Sequence, residues 1–152
     1  MTDHKTQPAD EVPLSVKKRQ FWLCLPPIAL CLIDHIITLL FQPAEYWRGT
    51  LHAANEANPH FNWLLRQHWL AFEAGIVAWM ILFCAVIRLL PGRPAFLLSL
   101  AITIGHTWGA GTWISHHFPY GYWLTLGLCF LSAMLVAVTA ELAGLVSYPG
   151  SK

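Results

Sequence analysis

The chain has 152 residues, of which 56% are apolar and only 11% charged, with a formal net charge of +1. A charge content so far below the ~25% usual in soluble chains excludes an ordinary soluble domain, and the length fits one domain. The neutral balance and the scatter of the basic residues exclude a nucleic-acid interface.

Residues 1–20 are polar, contain Pro8 and Pro13, and end in Lys17-Lys18-Arg19, the composition of a disordered cytoplasmic tail. A basic cluster before an apolar run mimics a signal peptide. This run is too long for one, carries Asp34, and precedes no small-x-small cleavage site, so it reads as an uncleaved span. Residues 21–41 supply the ~20 residues that cross ~30 Å of hydrocarbon. Pro26-Pro27 predicts a kink early in this span. Asp34 and Thr38 share a face with Cys31, and His35 points ~100° away from it.

Residues 42–58 form a polar connection whose middle, 46–57, reads as a short surface helix with Tyr46 and Trp47 at the interface. Asn58-Pro59 is a helix start, with asparagine as N-cap and proline at the first position. The second helix is expected to run unbroken over 59–90. At helical spacing, Asn62, Arg66, Trp69 and Glu73 then fall in one narrow sector, with His60 and His68 on the other side. Pro91-Gly92-Arg93-Pro94 is a turn.

A third span over 95–115 aligns Ser99, Thr103, His106, Ala110 and Trp113 on one face. Ala101, Gly105 and Gly109 form a flank of small residues that would let helix backbones approach. After the turn His116–Gly121, a fourth span over 122–146 places Thr125, Ser132 and Thr139 in a seam for a partner helix. Residues 147–152 form a second cytoplasmic tail. Cys24, Cys31, Cys84 and Cys129 all lie in apolar runs without a C-x-x-C pair, which suits buried small hydrophobes better than a disulfide framework.

Lys5, Lys17, Lys18, Arg19, Arg88, Arg93 and Lys152 fall on one side of this topology, and Arg48 and Arg66 on the other. The excess of positive charge on the inner side puts both termini in the cytoplasm, and the protein in a bacterial inner (plasma) membrane. By helical rise, Asp34 and His35 stand ~20 Å up the first span, and Glu73 within ~10 Å of the outer boundary. His106 falls near the midplane. These four groups would share one layer of the outer half, with Glu56, His68, His116 and His117 within reach from above. Glu141 stands apart, near the cytoplasmic end of the fourth span.

Intramembrane ionisable groups are expensive and functional by default. Asp34, His35, Glu73 and His106 make a ligand set suited to a divalent metal such as zinc, iron or manganese. Asp34 or Glu73, when not ligating, would serve as general base to a metal-bound water. Haem is less favoured, because only His35 and His106 are buried enough to ligate it and the carboxylates would be odd neighbours. There is no H-E-x-x-H and no E-x-x-H pair, and His116-His117 is one histidine pair where membrane hydroxylases and desaturases need several. The plainest account is structural: Asp34 pairs with His35, His106 or Arg66, and Arg66 with Glu73, only to hold the helices together. The remaining histidines then sit at an interface where imidazole is cheap, and Gly105 and Gly109 serve packing.

Ile33, Asp34 and Thr38 (I-D-x-x-x-T), followed by Glu56-Ala57-Asn58-Pro59 (E-A-N-P), resemble a domain-of-unknown-function family of short bacterial and archaeal multi-span membrane proteins. The resemblance covers the first two spans. It implies a small multi-span protein in which Asp34, Thr38, Glu56, Asn58 and Pro59 form one unit, and it implies no activity. That family often carries a lysine in the second span, where this chain has Glu73.

The expectation is thus an all-α integral membrane bundle of four transmembrane helices with a polar, metal-binding site in its outer half, acting on a lipid or quinone-like substrate. Membrane lipids are its expected partners. The alternative is a non-catalytic accessory subunit of a homo-oligomer or larger membrane complex, docked through the small-residue flank and the polar seam. A proton or ion path is the third option, but only Glu141 would serve its inner half.

Overall fold

A computed structural model describes residues 20–145. The tails at 1–19 and 146–152, with the Lys17-Lys18-Arg19 cluster, lie outside the described residues. Every regular element among the described residues is helical, and three helices are long and apolar enough to cross a membrane: Phe21–Leu40, Trp69–Leu89 and Gly121–Leu142.

The first of these begins as a 3-10 turn, Phe21–Cys24, and continues as α1, Leu25–Leu40. Pro26 and Pro27 fall at the opening positions of α1. A missing N–H costs no hydrogen bond there, so the prolines start the α-helix instead of kinking its interior.

The connection folds as two short pieces, α2 (Ala44–Trp47) and a 3-10 turn (Leu51–Ala53), not as one surface helix. Gly49 separates them with φ +102°, a conformation that favours glycine. Gln42 ties the connection down: its amide donates to the carbonyls of Thr38 (2.9 Å) and Asn55 (2.7 Å), and its oxygen accepts from Asn55 N–H (2.8 Å). Tyr46 is buried, and its hydroxyl donates to the Leu65 carbonyl at 3.1 Å.

Asn58 caps α3, Pro59–Gln67, by accepting from His60 N–H (3.0 Å) and Phe61 N–H (3.4 Å). The unbroken helix expected over 59–90 does not form. His68 is extended, φ −176° and ψ 150°, and its Nδ1 accepts from Leu70 N–H at 3.1 Å, capping α4, Trp69–Leu89. The break lets α3 fold back along α4. Phe61 meets Phe72 edge to face at 5.9 Å, Leu65 is fully buried, and a methyl group at Gly75 would collide with Leu64 Cδ1. Burying these side chains offsets the helical hydrogen bonds lost at His68. The break also dissolves the sector of Asn62, Arg66, Trp69 and Glu73: Arg66 is exposed, and Glu73 pairs with His35 instead.

α5 spans Gly92–His117 and α6 spans Gly121–Leu142. α5 lies at the centre and packs on α1, α4 and α6. Its buried polar residues face its neighbours. Ser99 donates to the Leu23 carbonyl at 2.6 Å, and Thr107 to Ser132 Oγ at 3.1 Å. Thr125 donates to the Gly111 carbonyl at 3.1 Å. Thr125 and Ser132 of the α6 seam are therefore used inside the chain, against α5, while Thr139 donates to carbonyls of its own helix. Ile81 and Leu82 of α4, Trp108 of α5, and Phe130 and Leu131 of α6 are exposed, a large apolar surface of the kind a bilayer covers.

Replacing Gln42 by Ala removes the partners of the Asn55 N–H and carbonyl. We expect it to cost ~1–3 kcal/mol. Hydrogen exchange should speed up over 50–58 and stay unchanged in α6; uniform acceleration would show that Gln42 does not clamp the connection.

Candidate functional site

Adjacent residues on a helix point ~100° apart. Asp34 and His35 of α1 therefore serve two different neighbours. Asp34 turns toward α5, where its Oδ2 lies 2.9 Å from His106 Nδ1. His35 turns toward α4, where its Nε2 lies 3.2 Å from Glu73 Oε1. The four predicted residues meet as two carboxylate–imidazole pairs, not as one shell.

The Asp34 pair extends to a third helix. Trp79 of α4 donates its indole N–H to His106 Nε2 at 3.2 Å. Indole is only a donor, so Nε2 holds the lone pair and the imidazole proton sits on Nδ1, aimed at Asp34. This assigns a neutral His106. Gly109 makes room for the pair: a methyl group there would sit 2.7 Å from both Asp34 carboxylate oxygens. Gly105 meets nothing within 4 Å, so of the small-residue flank Gly109 admits the carboxylate between the closely packed α1 and α5, and Gly105 borders the cavity.

The His35 pair lies behind. His35 is 8% exposed and stacks on Phe72 with ring centroids 5.2 Å apart. Its Nε2 faces the Glu73 carboxylate, and its buried Nδ1 has no partner among the described residues. Glu73 itself is about a third exposed.

A cavity of about 360 Å³ opens over the first pair. Asp34, His35, Thr38, Glu56, Asn58, Trp79 and His106 line it, and Glu73 does not. Glu56 is half-buried and arrives from the connection clamped by Gln42. Burial pushes its carboxyl above the ordinary 4.5, and the Asp34 charge adds to this, while N–H groups of Asn58 and Ala57 and the Thr38 hydroxyl act against it. Asn58 N–H donates to Glu56 Oε1 at 2.8 Å. Asp34, Thr38, Glu56 and Asn58 thus share one cavity.

The other histidines lie elsewhere. His68 lines a shallow pocket with Tyr46 and Trp69, and His117 stacks on Phe41 at 4.2 Å. His116 borders a larger cleft of about 550 Å³ between α5 and α6, which contains no carboxylate. Glu141 is exposed at the end of α6.

Among the described residues, no three His, Cys, Asp or Glu side chains are grouped so as to hold a metal ion. A zinc, iron or manganese ion ligated through His106 would have to displace the Trp79 N–H or break the hydrogen bond to Asp34. A haem ligated by His35 and His106 would meet the same obstacle, because Nε2 of each ring is already taken.

Two contributors escaped the sequence reading. Trp79 had a visible signal: it is an indole inside the aliphatic run of α4, away from the interfacial belt, and a buried indole N–H needs an acceptor. Gly109 was noticed as a small residue, but nothing in sequence said that its neighbour would be a carboxylate. Comparison with protein-family models, curated proteins and solved structures finds no match to this chain.

Gly109→Ala should lower stability by ~1–3 kcal/mol through overpacking against Asp34. Gly105→Ala should be neutral or stabilising, since alanine is the better helix former. Thermal unfolding in detergent measures both, and equal effects would refute the seating of Asp34 on Gly109.

An acid whose pKa is raised by folding favours the folded state when protonated. Its contribution is complete below the ordinary 4.5 and is lost as pH rises through the raised value. Glu56→Gln should therefore be more stable than the wild type at neutral pH. The gap should close as pH falls below 4.5 in a series of unfolding midpoints.

Proposed function

We propose that the chain is an integral membrane protein of four crossings, with both termini cytoplasmic, in a bacterial inner membrane. Its Asp34–His106 pair, with Glu56, forms a polar site in the outer half of the bilayer. The site holds the polar end of a membrane-embedded molecule and exchanges a proton with it. The observation that carries this reading is the 2.9 Å pair buried beside a cavity of about 360 Å³ that a second carboxylate enters from the connecting segment.

The topology rests on the three span-capable helices and on α5, which has 26 residues and packs among them. α5 is less apolar because Ser99, Thr103 and Thr107 face its partners, a pattern suited to a helix inside a bundle. The orientation rests on the excess of Lys and Arg on the inner side.

The two carboxylates of the cavity differ in environment, which suits a division of acid and base work. Asp34 accepts a hydrogen bond from His106, a partner for its anion. Glu56 has its neutral acid favoured by burial and by the Asp34 charge. Glu56 is then the proton donor, and Asp34 with His106 the acceptor. Glu73, outside the cavity, orients His35 and is no longer the candidate base. The arrangement favours these organic acid–base pairs over a metal centre, because both nitrogens of His106 are already bonded. The alternative of an accessory subunit keeps Ala101 and Gly105 as open positions of the flank, while Thr125 and Ser132 of the seam are engaged by α5.

Protein purified in mild detergent should carry a polar lipid at near-equimolar ratio by mass spectrometry. Asp34→Ala and His106→Ala should lower it roughly tenfold, the loss of ~1.4 kcal/mol of binding. Asp34→Asn guards against misfolding, and Glu141→Ala should retain the lipid. Asn55→Cys should react with an impermeant maleimide from outside intact cells. An unchanged lipid profile in the site variants would sink the binding site, and labelling only after lysis would reverse the orientation.

A further inference from the structure

We propose that the molecule held in this cavity presents a primary ammonium group, N–H protons outward, to Asp34 and Glu56. This deepens the reading above and rests on it.

The first argument is charge. Two carboxylates line the cavity, and none of Arg48, Arg66, Arg88 or Arg93 does. Arg48 is spent on Glu45 at 2.8 Å. His106 is neutral by its hydrogen bonds, His35 faces Glu73 outside the cavity, and no Lys or Arg among the described residues offers these walls a fixed cation. An anionic or phosphate headgroup would enter a site with the wrong sign.

The second argument is hydrogen-bond inventory. Asp34 uses Oδ2 for His106, and no described donor reaches Oδ1. Glu56 uses Oε1 for Asn58 N–H. His35, which also lines the cavity, has its buried Nδ1 without a partner among the described residues. The wall also offers N–H and O–H groups on Thr38, Asn58 and Trp108, but its charged atoms, the oxygens of Asp34 and Glu56, are acceptors. A ligand that satisfies them must bring donors, and an ammonium brings three.

The third argument is the rest of the wall. Phe61, Phe72, Trp79 and Trp108 line the same cavity, and aromatic faces attract cations, most strongly where water is excluded. A small ammonium on an apolar tail fits such a surface, and a bare metal ion does not. The raised proton affinity of Glu56 agrees with a carboxylate that lacks its counter-charge.

The same ammonium could arrive as a free amine or as a phosphatidylethanolamine headgroup, and the test separates them. Full-length protein in phosphatidylglycerol nanodiscs is titrated with methylammonium chloride, and the Trp79 indole N–H resonance, assigned with Trp79→Phe, is followed. We expect a saturable shift, weakened about tenfold or more in Glu56→Gln and Asp34→Asn, which remove charge and keep shape. Sodium chloride should give no shift, and tetramethylammonium, which has no N–H, a weaker one.

With phosphatidylethanolamine in the nanodisc, a resonance already shifted before titration identifies the lipid headgroup as the source. An unshifted resonance that still answers methylammonium identifies a free amine. No saturable response to either amine, an equal response to sodium, or a response unchanged in both variants overturns the proposal. If the amines fail while another lipid still co-purifies in an Asp34-dependent manner, only the ammonium assignment falls. If no lipid co-purifies either, the binding site falls with it.

Discussion

A carboxylate inside an apolar interior is tolerated only with a proton donor beside it, and for Asp34 that donor is His106 at 2.9 Å. Much of the arrangement serves this bond. α1 and α5 must lie close enough for the side chains to meet, and the missing side chain at Gly109 leaves the space that the carboxylate fills. Trp79, from a third helix, fixes which nitrogen carries the proton. A bond to a neutral imidazole gives the carboxylate a donor but no counter-charge, so its desolvation is only partly offset.

The second pair follows from the first by geometry. Once Asp34 faces α5, the helical turn aims His35 at α4, where an imidazole N–H without a partner would cost ~1–3 kcal/mol. Glu73 meets it. The break at His68 is part of the same solution, because it lets α3 double back and cover Phe72, the ring on which His35 stacks. One extended residue thus sets both the cover over His35 and the position of Asn58, whose segment carries Glu56 to the cavity. The buried amide of Gln42 holds that segment from the other end.

Much of the architecture was legible because hydrophobic length and helix caps are local signals. The apolar run after residue 20, the Asn58-Pro59 start and a break at Pro91 could all be read directly, although α5 begins at Gly92, inside the turn expected over 91–94. So could the common level of Asp34 and His106, which follows from counting along each helix and agrees with their 2.9 Å contact. The break at His68 was not legible: no glycine or proline marks it, and its compensation lies in contacts between α3 and α4 that sequence does not reveal. Gathering four groups into one shell failed for a related reason. Depth along the axis places groups in a layer, but azimuth decides which of them meet, and neighbours ~100° apart are sent to different partners. The small-residue flank read as packing because spacing alone cannot distinguish a backbone from a carboxylate as the occupant.

The pairing also constrains how the proposed site can work. In the described state, His106 has given its proton to a hydrogen bond with Asp34 and its lone pair to Trp79, so it cannot act as a base toward a ligand without losing one partner. The accessible base is the second oxygen of Asp34, and the accessible acid is Glu56, within reach of the same Thr38 hydroxyl. A proton moved from Glu56 to a ligand leaves two nearby carboxylates charged, which is unfavourable unless a cation arrives with them. Proton transfer and cation binding are therefore coupled in this cavity: each lowers the cost of the other. The Asp34–His106–Trp79 chain then has a definite part, since it keeps Asp34 in place while the charge beside it changes.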